Sequence, residues 1–89
     1  MIIDSNRELS TFTWDEIMEA VEKVEKTESS YQGGFNVIIV GDSCTIQGKN
    51  RNKSKAYSTT YAVNNNKKKA VYESVLRFQQ WLFDNIKKD

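Results

Sequence analysis

From Phe35 to Val63 the chain reads FNVIIV-GDS-CTIQG-KNRNKSK-AYSTTYAV, three short strand-like runs separated by turn and loop residues. Phe35–Val40 is bounded by Gly34 and by Gly41-Asp42, and its length and β-branched content predict a strand that is central in its sheet. Gly41-Asp42-Ser43 predicts a tight turn. Cys44–Gly48 alternates, with Cys44 and Ile46 pointing one way and Thr45 and Gln47 the other. Gly48 to Lys55 is a polar, basic loop. Ala56–Val63 predicts a third strand, with Tyr57, Thr59, Tyr61 and Val63 on one face and Ala56, Ser58, Thr60 and Ala62 on the other.

Helical signals flank this block. Thr13-Trp14-Asp15-Glu16 fits a capping box, and Phe12 and Ile17 are spaced as a hydrophobic staple. Trp14, Ile17, Met18, Val21 and Val24 recur at helical spacing, which makes one face apolar. Asp15, Glu16, Glu19, Glu22 and Glu25 fall mostly off that stripe. The helix should fade near residues 27–30, before Gly33-Gly34. Beyond the strands, Asn64-Asn65-Asn66 predicts a turn with Asn66 as N-cap of a helix over residues 67–86. Val71, Val75, Phe78, Leu82 and Ile86 form its stripe, widened by Leu76, Trp81 and Phe83. Ile2 and Ile3 fit either an edge strand or simple packing. The expected fold is α+β: order α-β-β-β-α, a three-stranded antiparallel sheet with two helices packed on one face. One small domain spans residues 1–89, a lead over 1–11 and a folded core over 12–88.

Composition excludes several function classes. The chain has 89 residues, 28% of them charged, with no histidine and one cysteine. Histidine acid–base chemistry, His-ligated metals, an internal disulfide and a cysteine zinc cluster are all excluded. Cys44 has no histidine to activate it and is expected to be a small buried thiol. No nucleotide-cradling glycine motif is present. The carboxylates of the first helix lack the desolvation that a catalytic pair needs. A protein that is not an enzyme, with no cofactor and no metal, is therefore expected. The longest aliphatic run, Val37–Val40, is far short of a membrane span, and Met1-Ile2-Ile3-Asp4-Ser5 lacks the regions of a signal peptide. These features predict a soluble, cytoplasmic protein without membrane contact. Frequent Lys, Asn, Ile and Tyr, with scarce alanine, favour AT-rich codons and hence a low-GC bacterium or one of its phages or plasmids.

Charge is distributed unevenly. Residues 1–45 carry three basic and nine acidic side chains, residues 46–89 ten basic and three acidic, so halves of net −6 and +7 hide behind a total of +1. From Gln47 to Ala70 there are seven basic side chains and no acid: Lys49, Arg51, Lys53 and Lys55 in the loop, then Lys67, Lys68 and Lys69 opening the last helix. Lysines in a first turn oppose the helix dipole at a cost of roughly 0.3–1 kcal/mol each, so stability alone would not select them there. Phosphate would be favoured at that end. The leading expectation is a small non-catalytic protein that binds the nucleic-acid backbone through the basic loop and the helix start. Tyr57, with Tyr61, would be available for base stacking if their face is open, and core if the helices cover it. The alternative is a protein-interaction or inhibitor module of phage or plasmid type. It would present the acidic face of Asp15, Glu19, Glu22 and Glu25, or the basic edge, to a host protein. A solvated loop with solubilising lysines accounts for the same residues, and monomer and homodimer both fit. Convergence of the two basic elements on one surface would favour nucleic acid. Divergence, or a more continuous acidic patch, would favour a protein partner.

The α-β-β-β-α order and Lys67-Lys68-Lys69-Ala70 together resemble the double-stranded RNA-binding domain, whose last helix opens Lys-Lys-x-Ala-Lys; Val71 stands where the final lysine would be. The resemblance implies lysines clamped on phosphates across a major groove and a loop between the first two strands in a minor groove. It covers about residues 13–86 in topology and four residues in motif. Here the long basic loop lies between the second and third strands and the family's Gly-Pro-x-His element is absent. Ser74 and Val75 replace its small residues, and the first helix lacks its usual RNA-contacting side chains. The arm-binding domain of phage integrases is similar to the same degree: a three-stranded sheet, then a helix that often opens Lys-Lys-x-Ala. That resemblance implies a sheet lodged in the DNA major groove.

Overall fold

The computed structural model describes residues 2–27, 35–49 and 56–85. Helix α1 spans Trp14–Glu25 and α2 spans Lys67–Asn85, on either side of strands β1 (Phe35–Val40), β2 (Ser43–Lys49) and β3 (Ala56–Ala62). The order is α-β-β-β-α, and the strands form one antiparallel sheet. The capping box forms: the Glu16 amide donates to Thr13 Oγ1 at 3.1 Å and the Thr13 amide to Glu16 Oε1 at 2.8 Å. Arg7 braces it, its guanidinium donating to both Glu16 oxygens at 3.1 and 3.2 Å while lying over the Phe12 ring at 4.1 Å.

β1 pairs without interruption from Phe35 opposite Gly48 to Val40 opposite Ser43, leaving Gly41-Asp42 as a two-residue hairpin. Gly41 has φ +59° and Asp42 is not left-handed, the pattern of a II′ turn, whose first position needs glycine. β2, and not β1, is the central strand. The aliphatic run of β1 comes from burial under a helix and says nothing of how many neighbours a strand has, so the expectation of a central β1 fails. β3 ends in a turn that closes from Asn66 N–H to Val63 O at 2.9 Å, with Asn65 at φ +56°, a conformation asparagine tolerates. Asn66 then caps α2 by accepting the Lys69 amide at 3.0 Å.

Both helices lie on the same face of the sheet. α1 packs on β1 and on α2, and α2 packs on β2 and β3. Phe35, Cys44 and Ile46 from the sheet meet Ile17, Val21 and Val24 from α1 and Val71, Val75 and Phe78 from α2 in one core. The lead packs rather than pairs. Ile3 is buried, and the Ile2 and Ile3 amides donate to Gln79 Oε1 on α2. Expected to widen the buried stripe of α2, Phe83 is 66% exposed, because it lies beyond the arc that the sheet and α1 cover. Ile86, the expected end of that stripe, lies outside the described residues. Among the described residues no helix is long and apolar enough to cross a membrane.

Candidate functional site

Strand direction places the charged elements. β2 and β3 join at the sheet end marked by Lys49 and Ala56, while the β1–β2 turn and the entry to α2 lie at the other end. The second end is tied together: Val63 N–H donates to Asp42 O at 3.1 Å and Asn65 N–H to Asp42 Oδ2 at 3.0 Å. Lys67, Lys68 and Lys69 open α2 there, with no acid in its first turn, and Lys67 and Lys69 are exposed. Arg51, Lys53 and Lys55 lie outside the described residues, in the segment that joins Lys49 to Ala56 at the first end. Six residue steps along β3 separate the two ends, about 20 Å at ~3.3 Å each. Among the described residues, Lys49 at the end of β2 and Lys67 at the start of α2 therefore stand at opposite ends of one sheet.

Tyr57 and Tyr61 are on the helix-facing side. Tyr57 is half-buried in an aromatic cluster, its ring centroid 5.5 Å from Phe78 and 4.7 Å from Trp81. Burial pushes its phenol pKa up. Half-buried Tyr61 lies under the Arg77 guanidinium at 5.8 Å. Tyr57 thus serves the core and is not displayed beside the basic loop. The other sheet face is open. Among the residues whose side chains are described, it carries Asn36, Ile38 and Val40 from β1, Ser43, Thr45 and Gln47 from β2, and Ser58, Thr60 and Ala62 from β3. None is charged, in a chain that is 28% charged. The register aligns them in rows across the strands: Asn36–Gln47–Ser58, Ile38–Thr45–Thr60 and Val40–Ser43–Ala62. Thr45 and Thr60 hydroxyls share a hydrogen bond of 2.7 Å within the middle row.

On α1, Asp15, Glu19, Glu22 and Glu25 are all exposed. Spacings of four and three align Asp15, Glu19 and Glu22 in one line, with Lys26 continuing it after Glu22. Glu16 is set apart by its bond to Arg7, which holds its carboxyl below the usual range, helped by the Thr13 amide. Cys44 is fully buried in β2, and burial raises its thiol pKa.

Sequence reasoning missed the open face as a site. Its signal was present in the alternation of β2 and β3, where Ser43, Thr45, Gln47, Ser58, Thr60 and Ala62 hold solvent-side positions and lysine enters only at the end of β2, as Lys49. No family model, no curated protein and no solved structure matches the chain.

Proposed function

We propose that this chain is a small non-catalytic protein that binds duplex nucleic acid, DNA in preference to RNA, with its open sheet face in the major groove and its two basic elements on the phosphates of the flanking strands. One observation carries the reading: the described side chains of the open sheet face are uncharged, with Lys49 ending β2 on one side of them and the lysines of α2 on the other. Taken singly, the separation of Lys49 from Lys67 weakens a common phosphate cradle and favours a protein partner. Taken with the neutral face between them, it suits a groove. The outer strands stand about 10 Å apart and a B-form major groove is about 12 Å wide, so the strands would run along the groove with Lys49 and Lys67 about 20 Å apart along its length. That groove is about 8.5 Å deep, so its phosphate rims rise beside an inserted sheet toward the layer that holds the start of α2. The major groove of duplex RNA is too narrow and deep to admit a sheet. The RNA-binding resemblance also loses its minor-groove element, since the β1–β2 connection is a two-residue turn bearing Asp42.

The test is fluorescence anisotropy with labelled duplex DNA, duplex RNA and single strands across a salt series. Duplex DNA should bind tightest, and the negative log–log salt slope should shrink by about one for each of Lys67, Lys69, Lys49 and Lys53 replaced by alanine. Equal affinity for all nucleic acids would refute the groove, and no binding at low salt would refute the whole reading.

A second reading rests on the Asp15–Glu19–Glu22 line: α1 could engage a basic protein surface. It predicts capture of a lysine- and arginine-rich peptide that Glu19→Lys with Glu22→Lys abolishes and that lysine changes in α2 leave intact.

A further inference from the structure

We propose that the free edge of β1 takes up a fourth strand: an extended segment of a partner protein in which aliphatic residues alternate with lysine or arginine. The site uses none of the lysines of the groove reading. Among the described residues β1 pairs with β2 alone, and without interruption. Val40 and Ser43 close a two-residue hairpin and so form a hydrogen-bonded pair, as do Ile38 with Thr45 and Asn36 with Gln47. The amides and carbonyls of Phe35, Val37 and Ile39 therefore aim out of the free edge. Such edges are ordinarily guarded by a charged side chain, a proline or a bulge, and Phe35–Val40 has none of these. Side chains on both faces of the edge are apolar. Ile38 and Val40 are 43% and 66% exposed on the open side, and Val37 and Ile39 are half-buried on the helix side.

Helix α1 roofs the position that a fourth strand would take. α2 packs on β2 and β3, and α1 on β1. Packed helices stand about 8–10 Å apart and paired strands about 4.8 Å, so α1 extends over the outer side of β1. One flank of α1 is turned to α2: Glu16 holds Arg7, whose carbonyl accepts from the Tyr72 hydroxyl of α2 at 3.2 Å. At about 100° per residue, the opposite flank carries Trp14, Met18, Glu22 and Glu25. Trp14 is 41% exposed and Met18 half-buried, while Glu22 and Glu25 are exposed. An apolar wall with an acidic rim thus stands above the free edge. Charge complementarity names the occupant. Lysine or arginine at alternate positions would lay its stem along Trp14 and Met18 and its charge beside Glu22 and Glu25. The aliphatic residues between them would lie beside Ile38 and Val40. A second copy does not fit, because two-fold pairing through β1 would bring a second α1, with the same carboxylates, into the space that the first one fills.

The experiment selects binders from a displayed library of random peptides with the full chain, then measures anisotropy of the selected peptide, labelled, with and without N-methylation at alternate amides. Selected sequences should alternate aliphatic residues with lysine or arginine. Methylating one alternate set should cost roughly tenfold or more in affinity, since those amides pair with β1, and methylating the other set should cost little. Glu22→Lys with Glu25→Lys should weaken binding roughly tenfold at low salt and less at high salt. Ile39→Pro removes an amide that faces away from β2, where an edge strand tolerates proline, and should abolish binding with circular dichroism unchanged. Peptide methylation carries the test on the unaltered chain if that variant fails to fold. No selected peptide, or selected peptides without the alternation, would overturn the added strand. Binding indifferent to methylation of either set would overturn it too, and would leave the acidic line of α1 acting alone, as in the second reading. A dimer of the free chain that Ile38→Lys disperses would overturn it by giving the edge to a second copy.

Discussion

Gln79 grips Ile3 across 76 residues of sequence: its Oε1 accepts the Ile3 amide at 2.9 Å and its Nε2 donates to the Ile3 carbonyl at 3.0 Å. The same oxygen takes the Ile2 amide at 2.6 Å. One carboxamide thus satisfies three backbone groups of the lead and seats Ile3 in the core. Gln79→Ala removes these partners from partly buried groups, and a loss of about 1–2 kcal/mol is expected in urea unfolding. Gln79→Glu should restore little, because a carboxylate can accept both amides but faces the Ile3 carbonyl with a second acceptor.

Acid should loosen the entry to α1. Glu16 has its pKa lowered by the Arg7 hydrogen bond first and by the Thr13 amide second. A carboxyl whose folded pKa lies below its unfolded value stabilises the fold above that unfolded value, and the contribution is lost as pH falls through the folded pKa. Wild type should therefore lose more stability than Glu16→Gln on going from pH 6 to pH 2. The difference should shrink in high salt, because the pair is exposed. Parallel acid limbs for the two proteins would refute this role for Glu16.

How far the fold could be read in advance is clear from its strands and helices. The capping box, the β1 bounds and the Asn66 cap were legible because each is a local contest: a side chain three residues away either reaches an amide or does not. The rank of β1 in the sheet was not legible, since an apolar run records burial on its faces and not the partners along its edges. The Gln79 clasp was invisible for a different reason, as an exposed-looking glutamine carries no mark of a partner 76 residues away. The basic residues of the site were legible by composition, but the relation between them needed strand direction. Only the antiparallel register put Lys49 and Lys67 at opposite ends and gathered Asn36, Gln47 and Ser58 into one row.

Cys44 should report opening of the core. Its thiol is fully buried, and Ser74 Oγ, also buried, donates to the Cys44 carbonyl at 3.1 Å. A neutral-pH thiol reagent needs the thiolate, which burial disfavours. Native protein should react far more slowly than unfolded protein, with a rate that follows global unfolding across a urea series. Ser74→Ala should cost about 0.5–1.5 kcal/mol and speed the reaction accordingly. Fast labelling of the native chain, independent of urea, would mean that the α2–β2 contact opens locally.

Stability and binding should respond in opposite directions at the start of α2. Lys67 and Lys69 are exposed in the first turn, where the amide ends of the helix favour negative charge, and that turn contains no acid. Each lysine is unfavourable there by roughly 0.3–1 kcal/mol at low salt. Lys67→Glu or Lys69→Glu reverses the sign of that interaction, so each should raise the unfolding midpoint. If the lysines hold phosphate, the same substitutions should weaken duplex DNA binding and reduce the salt slope by about one or more per site. The informative result is the combination, because a surface kept only for solubility would gain stability and lose nothing. A gain in midpoint with unchanged anisotropy would move the lysines of α2 out of the binding surface and leave the second reading, through the acidic line of α1, as the one to pursue.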